Sequence, residues 1–209
     1  MNATRKAGEI TGVDEGSRPS LNRRKRIGGD GAPEVFVADE QGAVPVDVER
    51  WAVLAEAVLA AEGVVGNSEL SLLFVDDEEM ATLNEQFMGV TGPTDVLAFP
   101  IDATDVEVLS VPALSRSGPD RAPVDRGDLP LLLGDVVICP VVAQRQFADH
   151  AGTLDDELAL LVVHGLLHVL GHDHTEPAET ARMRDREREL LEAHHWGAPA
   201  PAVFRQDQL

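Results

Sequence analysis

The seventeen residues from Leu154 to Leu170 constrain the fold more than any other part of the chain. From Leu158 onward every residue in this stretch is apolar except two histidines and one glycine. A helix that is apolar on nearly all sides has to be buried. Thr153 and Asp156 have the spacing of a capping box, and Gly171 stands where a left-handed helix end is expected. The pattern therefore predicts a central helix surrounded by the rest of the protein.

Two histidines on this helix indicate a metal site. His164 and His168 are four residues apart, so both imidazoles lie on one helix face and can reach one point. Gly171 allows the chain to turn back and bring His174 to the same point. Three neutral imidazoles are a ligand set for one zinc ion per chain, and they leave a fourth position open for water, as in catalytic sites.

The alternative interpretation is that these are ordinary histidines at a helix end. A single histidine in such a helix is more often a core residue with satisfied hydrogen bonds. Here, however, four of the seven histidines fall within eleven residues, and burying unpaired imidazoles is costly. The clustering favours metal binding by His164, His168 and His174, while His172 is not needed as a ligand.

The spacing HxxxHxxGxxH also matches the zinc pattern of metzincin proteases. Those enzymes place a glutamate directly after the first histidine as the general base. This chain has Gly165 there, so the peptide-hydrolysis mechanism lacks its proton acceptor. A zinc metallopeptidase is therefore the second hypothesis rather than the first.

The remainder of the chain alternates strand-like and helix-like segments, which predicts an α/β fold with four strands and about five helices. Strands are expected near residues 35–37, 69–75, 94–99 and 131–139. Helices are expected at about 47–61, 76–87, 140–151, 154–170 and 175–194.

A length of 209 residues favours a single domain, which we place at residues 34–196. Residues 1–33 have no hydrophobic periodicity and are predicted to be a disordered N-terminal extension. Residues 102–130 form a long Pro- and Asp-rich stretch that is predicted to be a mobile insertion. Residues 197–209 are expected to be a C-terminal tail.

Charge and composition restrict the possible partners. The net charge is −20, and the first 31 residues carry +3 while the remainder carries −23, which opposes easy nucleic-acid binding. The run Arg23-Arg24-Lys25-Arg26 could touch nucleic acid, although a solvated tail is the simpler interpretation. Without a secretory signal, a membrane-length apolar run or a second cysteine beside Cys139, the sequence indicates a cytoplasmic protein with no membrane contact.

The segment His164–His174, HGLLHVLGHDH, closely resembles the HGxLHLxGYDH signature of the bacterial YbeY family of zinc-dependent endoribonucleases. Three further blocks resemble the family in order and spacing. They are Leu83-Asn84 with the PTDVLAFP stretch from Pro93 to Pro100, the strand from Leu133 to Ile138, and the stretch from Glu69 to Asp77 that precedes the Leu83-Asn84 helix. The similarity extends over about residues 34–195.

The resemblance implies a small mixed sheet with the zinc helix at its centre, and His164, His168 and His174 as metal ligands. It also implies cleavage of single-stranded RNA, maturation of the 3′ end of 16S ribosomal RNA, and late-stage 70S ribosome quality control. The catalytic residues are unknown, and either zinc-bound water or a zinc-polarised phosphate attacked by water or a neighbouring 2′-hydroxyl could serve as the mechanism. The implied partners are ribosomal RNA, the small ribosomal subunit and its associated proteins. A non-catalytic, zinc-stabilised ribosome-assembly factor is a third hypothesis.

The chain departs from the family pattern at three positions. Met88 replaces an arginine found in many members, His172 replaces the signature tyrosine, and Ala98 replaces a serine. Phosphate contact would then fall on Arg145 or on arginines of the last predicted helix, although salt-bridged exposure is the more expected role for those: Arg182, Arg184, Arg186 and Arg188. Asp173 could orient a ligand histidine or simply occupy a turn.

Overall fold

The computed structural model describes residues 32–101, 130–172 and 176–206, together with the backbone of residues 23–27. The strands of this described part are β1 (Arg23–Ile27), β2 (Glu34–Asp39), β3 (Ser68–Phe74), β4 (Val96–Pro100) and β5 (Leu131–Ile138). They form one mixed sheet in the order β1-β2-β3-β5-β4. The central strands β2, β3 and β5 are parallel, whereas β1 and β4 pair antiparallel at the edges. The predicted α/β class is confirmed, with one strand more than expected.

The additional strand, β1, corrects the prediction that residues 1–33 are disordered throughout. It pairs with β2 over five residues, from Arg23 opposite Asp39 to Ile27 opposite Val35. Its charged sequence has no apolar alternation, so only pairing with β2 defines it. Charged residues are common on edge strands because they discourage further strand addition. The rest of that predicted extension, residues 1–22 and 28–31, and positions 102–129 of the predicted insertion lie outside the described residues.

Among the residues that the structure describes, five α-helices cover the sheet, close to the predicted positions. They are α1 (Val48–Ala61), α2 (Asp77–Leu83), α3 (Pro140–Gln146), α4 (Leu154–Val169) and α5 (Pro177–Leu191). Two π-helical turns follow α2 and α5, at Asn84–Met88 and Glu192–Trp196. Within the described ranges, no helix combines the length and the apolar character needed to span a bilayer.

Helix α4 is the centre of the main core, as predicted. Thirteen of its sixteen residues are buried, so side chains on all its faces meet protein. It packs with α1 and α5 on one face of the sheet. On the opposite face, Met80 of α2 and Leu97 of β4 belong to a smaller cluster that includes Cys139. Burial raises the pKa of the Cys139 thiol, which suits a core residue rather than a reactive one.

The contact between α4 and the sheet is closest at Gly165. A Cβ atom at this position would lie 2.5 Å from Val136 Cγ1 and 3.3 Å from Val96 Cγ2. Both valines belong to strands, β5 and β4, and valine side chains have little rotamer freedom. Gly165 therefore lets the helix approach the sheet closely, and it lies on the side of α4 that faces the core.

We expect Gly165→Ala to destabilise the protein by about 1–2 kcal/mol, because the overpacking cost exceeds the gain in helix propensity. Urea unfolding of the wild type and the variant measures the change. Combining it with Val136→Ala should relieve the clash, so that the double variant loses less stability than the two single variants added together. Simple additivity would contradict the proposed contact.

The segment after α5 is folded onto the domain, which corrects its description as a tail. Phe204 is buried and makes an edge-to-face contact with Trp196, with ring centroids 4.9 Å apart. The Arg205 backbone N–H donates to the carbonyl of His150 at 2.9 Å. The chain up to residue 206 is therefore an integral part of the fold, and residues 207–209 lie outside the described part.

Asp156 ties the start of α4 to the turn that follows α5. Its Oδ1 accepts hydrogen bonds from Trp196 Nε1 at 2.6 Å and from His195 Nε2 at 2.8 Å. Its Oδ2 accepts from the hydroxyl of Thr153 at 2.6 Å. Burial alone would raise the pKa of Asp156, but hydrogen bonds from Thr153, Trp196 and His195 outweigh it and lower the pKa below the ordinary value of 3.8.

We expect Asp156→Asn to destabilise the protein by about 1–3 kcal/mol at neutral pH, because one oxygen of a buried carboxylate that accepts three hydrogen bonds becomes an NH2 group, which cannot accept, and the negative charge is lost. Since the folded state lowers the pKa of Asp156, its contribution is present above the ordinary pKa and disappears as pH falls through the lowered value. Denaturation at several pH values measures this. Asp155→Asn, in the same helical turn but exposed, is the matched control. A stability gap that does not shrink below about pH 4 would contradict the assignment.

Candidate metal centre

Two imidazoles converge at the C-terminal end of α4, as the sequence spacing predicts. His164 Nε2 and His168 Nε2 lie 3.1 Å apart, and the ring centroids are separated by 4.6 Å. His164 is buried and His168 half-buried. The two nitrogens thus meet at one point on the surface of the buried helix.

The other nitrogen of each ring is held by an acceptor. His168 Nδ1 lies 3.0 Å from the backbone carbonyl of His172, and His164 Nδ1 lies 2.7 Å from Glu187 Oε1. A carbonyl oxygen can only accept, so His168 Nδ1 carries a proton, and a carboxylate imposes the same on His164. In the neutral rings both Nε2 atoms then present lone pairs to each other.

This arrangement fits a metal cation. Two lone pairs facing each other at 3.1 Å repel, whereas a cation bound to both removes the repulsion. Metal-ligating histidines usually donate their other N–H to a carboxylate or a backbone carbonyl, and both kinds of acceptor are present here. Imidazole nitrogen is also a preferred zinc ligand. The donor chemistry of His164 and His168 therefore suits zinc.

The third predicted ligand, His174, lies outside the described residues, as does Asp173. Within the described ranges, no group of three His, Cys, Asp or Glu residues is placed to hold a metal ion. The pairing of His164 with His168 is found in the structure, and the contribution of His174 stays a prediction.

Glu187 is the functional residue that sequence reasoning missed. It lies on the buried face of α5 with Met183, Leu190 and Leu191, and only 2% of it is exposed. A carboxylate in an otherwise apolar helical stripe requires a buried partner, and His164 is that partner. The helical spacing of Glu187 with Met183, Leu190 and Leu191 is the signal that could have marked Glu187 as buried from sequence.

His172 supports the site through its backbone and is itself held by its side chain. Its Nε2 donates to Glu62 Oε2 at 3.3 Å, while Glu62 Oε1 accepts from Arg186 Nε at 2.7 Å. Arg186 also donates to the carbonyl of Ala61 at the end of α1. Hydrogen bonds to Glu62 and then to Glu189 raise the pKa of Arg186, so it stays charged. The predicted salt-bridged role of Arg186 is confirmed, and Glu62 fixes the turn that carries the acceptor for His168.

A cleft of about 290 Å³ lies beside this turn, between the end of α4 and the first half of α5. Its lining residues are Leu170, Gly171, His172, Glu179, Arg182 and Met183. The Arg182 side chain is 73% exposed, and its guanidinium lies 3.8 Å from a Glu179 carboxylate oxygen. Because the contact with Glu179 is long and the side chain is exposed, the Arg182 guanidinium is able to turn towards a ligand in the cleft.

The positions that depart from the family pattern differ in their exposure. Met88 ends a π-helical turn and is half exposed, beside an exposed Phe87 whose ring contacts Phe99 edge-on at 4.9 Å. Ala98 is partly buried and packs against the main core. Arg145, the other predicted phosphate contact, pairs with Asp77 at 3.1 Å.

Comparison with known proteins shows that this chain is similar to members of one family. A family model described as Endoribonuclease YbeY matches residues 36–195. A Thermobifida fusca protein named Endoribonuclease YbeY is 47% identical over 158 residues, covering 75% of this chain and 91% of the relative. A Mycolicibacterium vanbaalenii protein of the same name is 40% identical over 174 residues, covering 83% and 86%. A solution structure from Thermotoga maritima is 23% identical with a TM-score of 0.47, covering 79% and 89%.

Proposed function

The chain belongs to the endoribonuclease YbeY family, and from that premise we propose that it is a zinc-dependent, single-strand-specific endoribonuclease. Its proposed role is to mature the 3′ end of 16S ribosomal RNA and to act in late-stage 70S ribosome quality control in the cytoplasm. The observation that carries the metal-dependent part is the pair of Nε2 atoms 3.1 Å apart with both Nδ1 atoms held by acceptors.

One zinc ion would be held by His164, His168 and His174. When bound, zinc supplies a Lewis acid for a phosphate oxygen and makes water more acidic. Glu187 and the His172 carbonyl keep both Nδ1 atoms protonated, so that both Nε2 atoms remain available as ligands. Arg182 lines the cleft beside the His172 turn and is the side chain that we propose to meet a phosphate of the RNA.

The same geometry argues against a peptidase. In metzincin proteases the residue after the first histidine is the glutamate that acts as general base. Here that position, Gly165, points at Val136 with no room for a Cβ atom. A side chain there could not reach the metal without displacing the helix from the sheet. The second hypothesis, a zinc peptidase, would need a base from elsewhere in the chain.

We expect purified protein to contain roughly one zinc per chain and to lose it in His168→Ala and His174→Ala, because each variant removes a ligand. Metal analysis after gel filtration measures this. His194→Ala, which changes an exposed histidine after α5, is the matched control and should retain its zinc. Zinc content that is unchanged in His174→Ala would contradict its assignment as a ligand.

We expect the wild type to cleave single-stranded RNA in preference to a duplex, and His168→Ala to be slower by on the order of 100-fold or more. Labelled oligonucleotides measure both rates. A 2′,3′-cyclic phosphate on the product would indicate attack by the neighbouring hydroxyl, and a simple phosphate end would indicate attack by water. Activity that persists in folded His168→Ala would contradict metal-dependent cleavage.

The non-catalytic alternative predicts a different result in cells. If zinc only stabilises an assembly factor, cells that carry only folded His168→Ala should have normal 16S ribosomal RNA 3′ ends. The endoribonuclease proposal requires unprocessed ends to accumulate in those cells, and normal ends in cells that carry His194→Ala.

A further inference from the structure

We propose that Gln206, near the C-terminus, is a positioning residue for the metal centre and acts through Glu187. Its Nε2 donates to Glu187 Oε2 at 2.9 Å, and the other oxygen of that carboxylate accepts from His164 Nδ1 at 2.7 Å. Gln206 and Glu187 are 5% and 2% exposed. A buried chain of contacts therefore connects the C-terminal segment to a ligand histidine. The inference rests on the metal site of the proposed function.

The surroundings of Gln206 determine which way its amide points. The Nε2 group donates to Glu187 Oε2 and also to the carbonyl of Arg184 at 3.0 Å, which uses both of its hydrogens. The amide oxygen accepts from Arg188 Nη2 at 3.3 Å. Rotating the amide by half a turn would bring its oxygen against a carboxylate and a carbonyl. The orientation is thus selected by three neighbours on α5.

The segment that carries Gln206 is held on the domain independently of Glu187. Phe204 packs on Trp196, and the backbone of Arg205 donates to the carbonyl of His150. These contacts hold Gln206 beside α5 and do not involve its amide. The segment lies beyond residues 36–195, the range matched by the family model.

Two hydrogen bonds to opposite oxygens fix the rotation of the Glu187 carboxylate. Without the amide donor, Oε2 would be a buried oxygen with one partner fewer, and the group could rotate away from His164. A carboxylate that is less well aligned with His164 Nδ1 weakens the orientation and basicity of that imidazole. Gln206 should therefore increase metal affinity without contacting the metal.

Gln206→Leu tests this inference, with Zn²⁺ affinity measured by competition with a chromophoric chelator. A direct partner of a ligand histidine is typically worth about 10–100-fold in affinity, so this more distant residue should be worth roughly 3–10-fold. The visible spectrum of the Co²⁺-loaded protein should change in parallel. Gln144→Leu makes the same chemical change at an exposed position of α3 and should bind Zn²⁺ like the wild type.

Measuring the effect of Gln206→Leu with and without Glu187 distinguishes a positioning role at the metal site from a general effect on stability. If Gln206 acts through that carboxylate, Gln206→Leu should have little further effect on Zn²⁺ affinity in a Glu187→Met background. An equal loss in both backgrounds, or wild-type affinity of Gln206→Leu, would overturn the inference. Gln206→Asn, which keeps the amide but withdraws it from Glu187, provides the same comparison should the leucine variant not fold. A wild type that binds no Zn²⁺ would instead contradict the metal site itself.

Discussion

The close approach of α4 to the sheet at Gly165 is the contact on which the other parts of this structure depend. Because no side chain intervenes, the helix lies directly on Val136 and Val96, and its other faces are covered by α1 and α5. A helix enclosed in this way holds the backbone of His164 and His168 rigidly. The same burial requires every polar atom of the two imidazoles to have a partner. The packing of α4 in the core therefore also determines where the two imidazoles lie and which groups must contact them.

Several groups that hold the site in this arrangement come from distant parts of the chain. Glu187 comes from α5, Glu62 follows α1, and Gln206 comes from the segment after α5. None of them is near His164 in sequence, so the site is complete only when these segments have docked on α4. Metal binding and the docking of the C-terminal segment should consequently stabilise each other, because each favours the same arrangement of Glu187.

Local signals explain why much of the fold could be predicted from sequence. The apolar run of α4, its Thr153 cap and the turn at Gly171 are encoded by neighbouring residues, and the structure confirms them. The spacing of His164 and His168 likewise fixes a shared helix face. The apolar stripe of α5 could have marked Glu187 as buried, but its pairing with His164 and that of Glu62 with His172 could not be assigned, because these contacts span 23 and 110 positions of sequence. Strand β1 was missed since its charged sequence becomes a strand only through pairing with β2.

The distribution of charge also limits how this chain could hold an anionic substrate. The residues after position 31 carry a net charge of −23, so long-range attraction for RNA is not available from that part of the chain. Some arginines of α5 already form ion pairs with carboxylates, and Arg186 lies between Glu62 and Glu189. Recognition of RNA would then depend on short-range contacts, to which the proposed metal ion and the exposed Arg182 would contribute. Under the proposed function, such a site would select RNA by local geometry at the cleft rather than by the overall field of the protein.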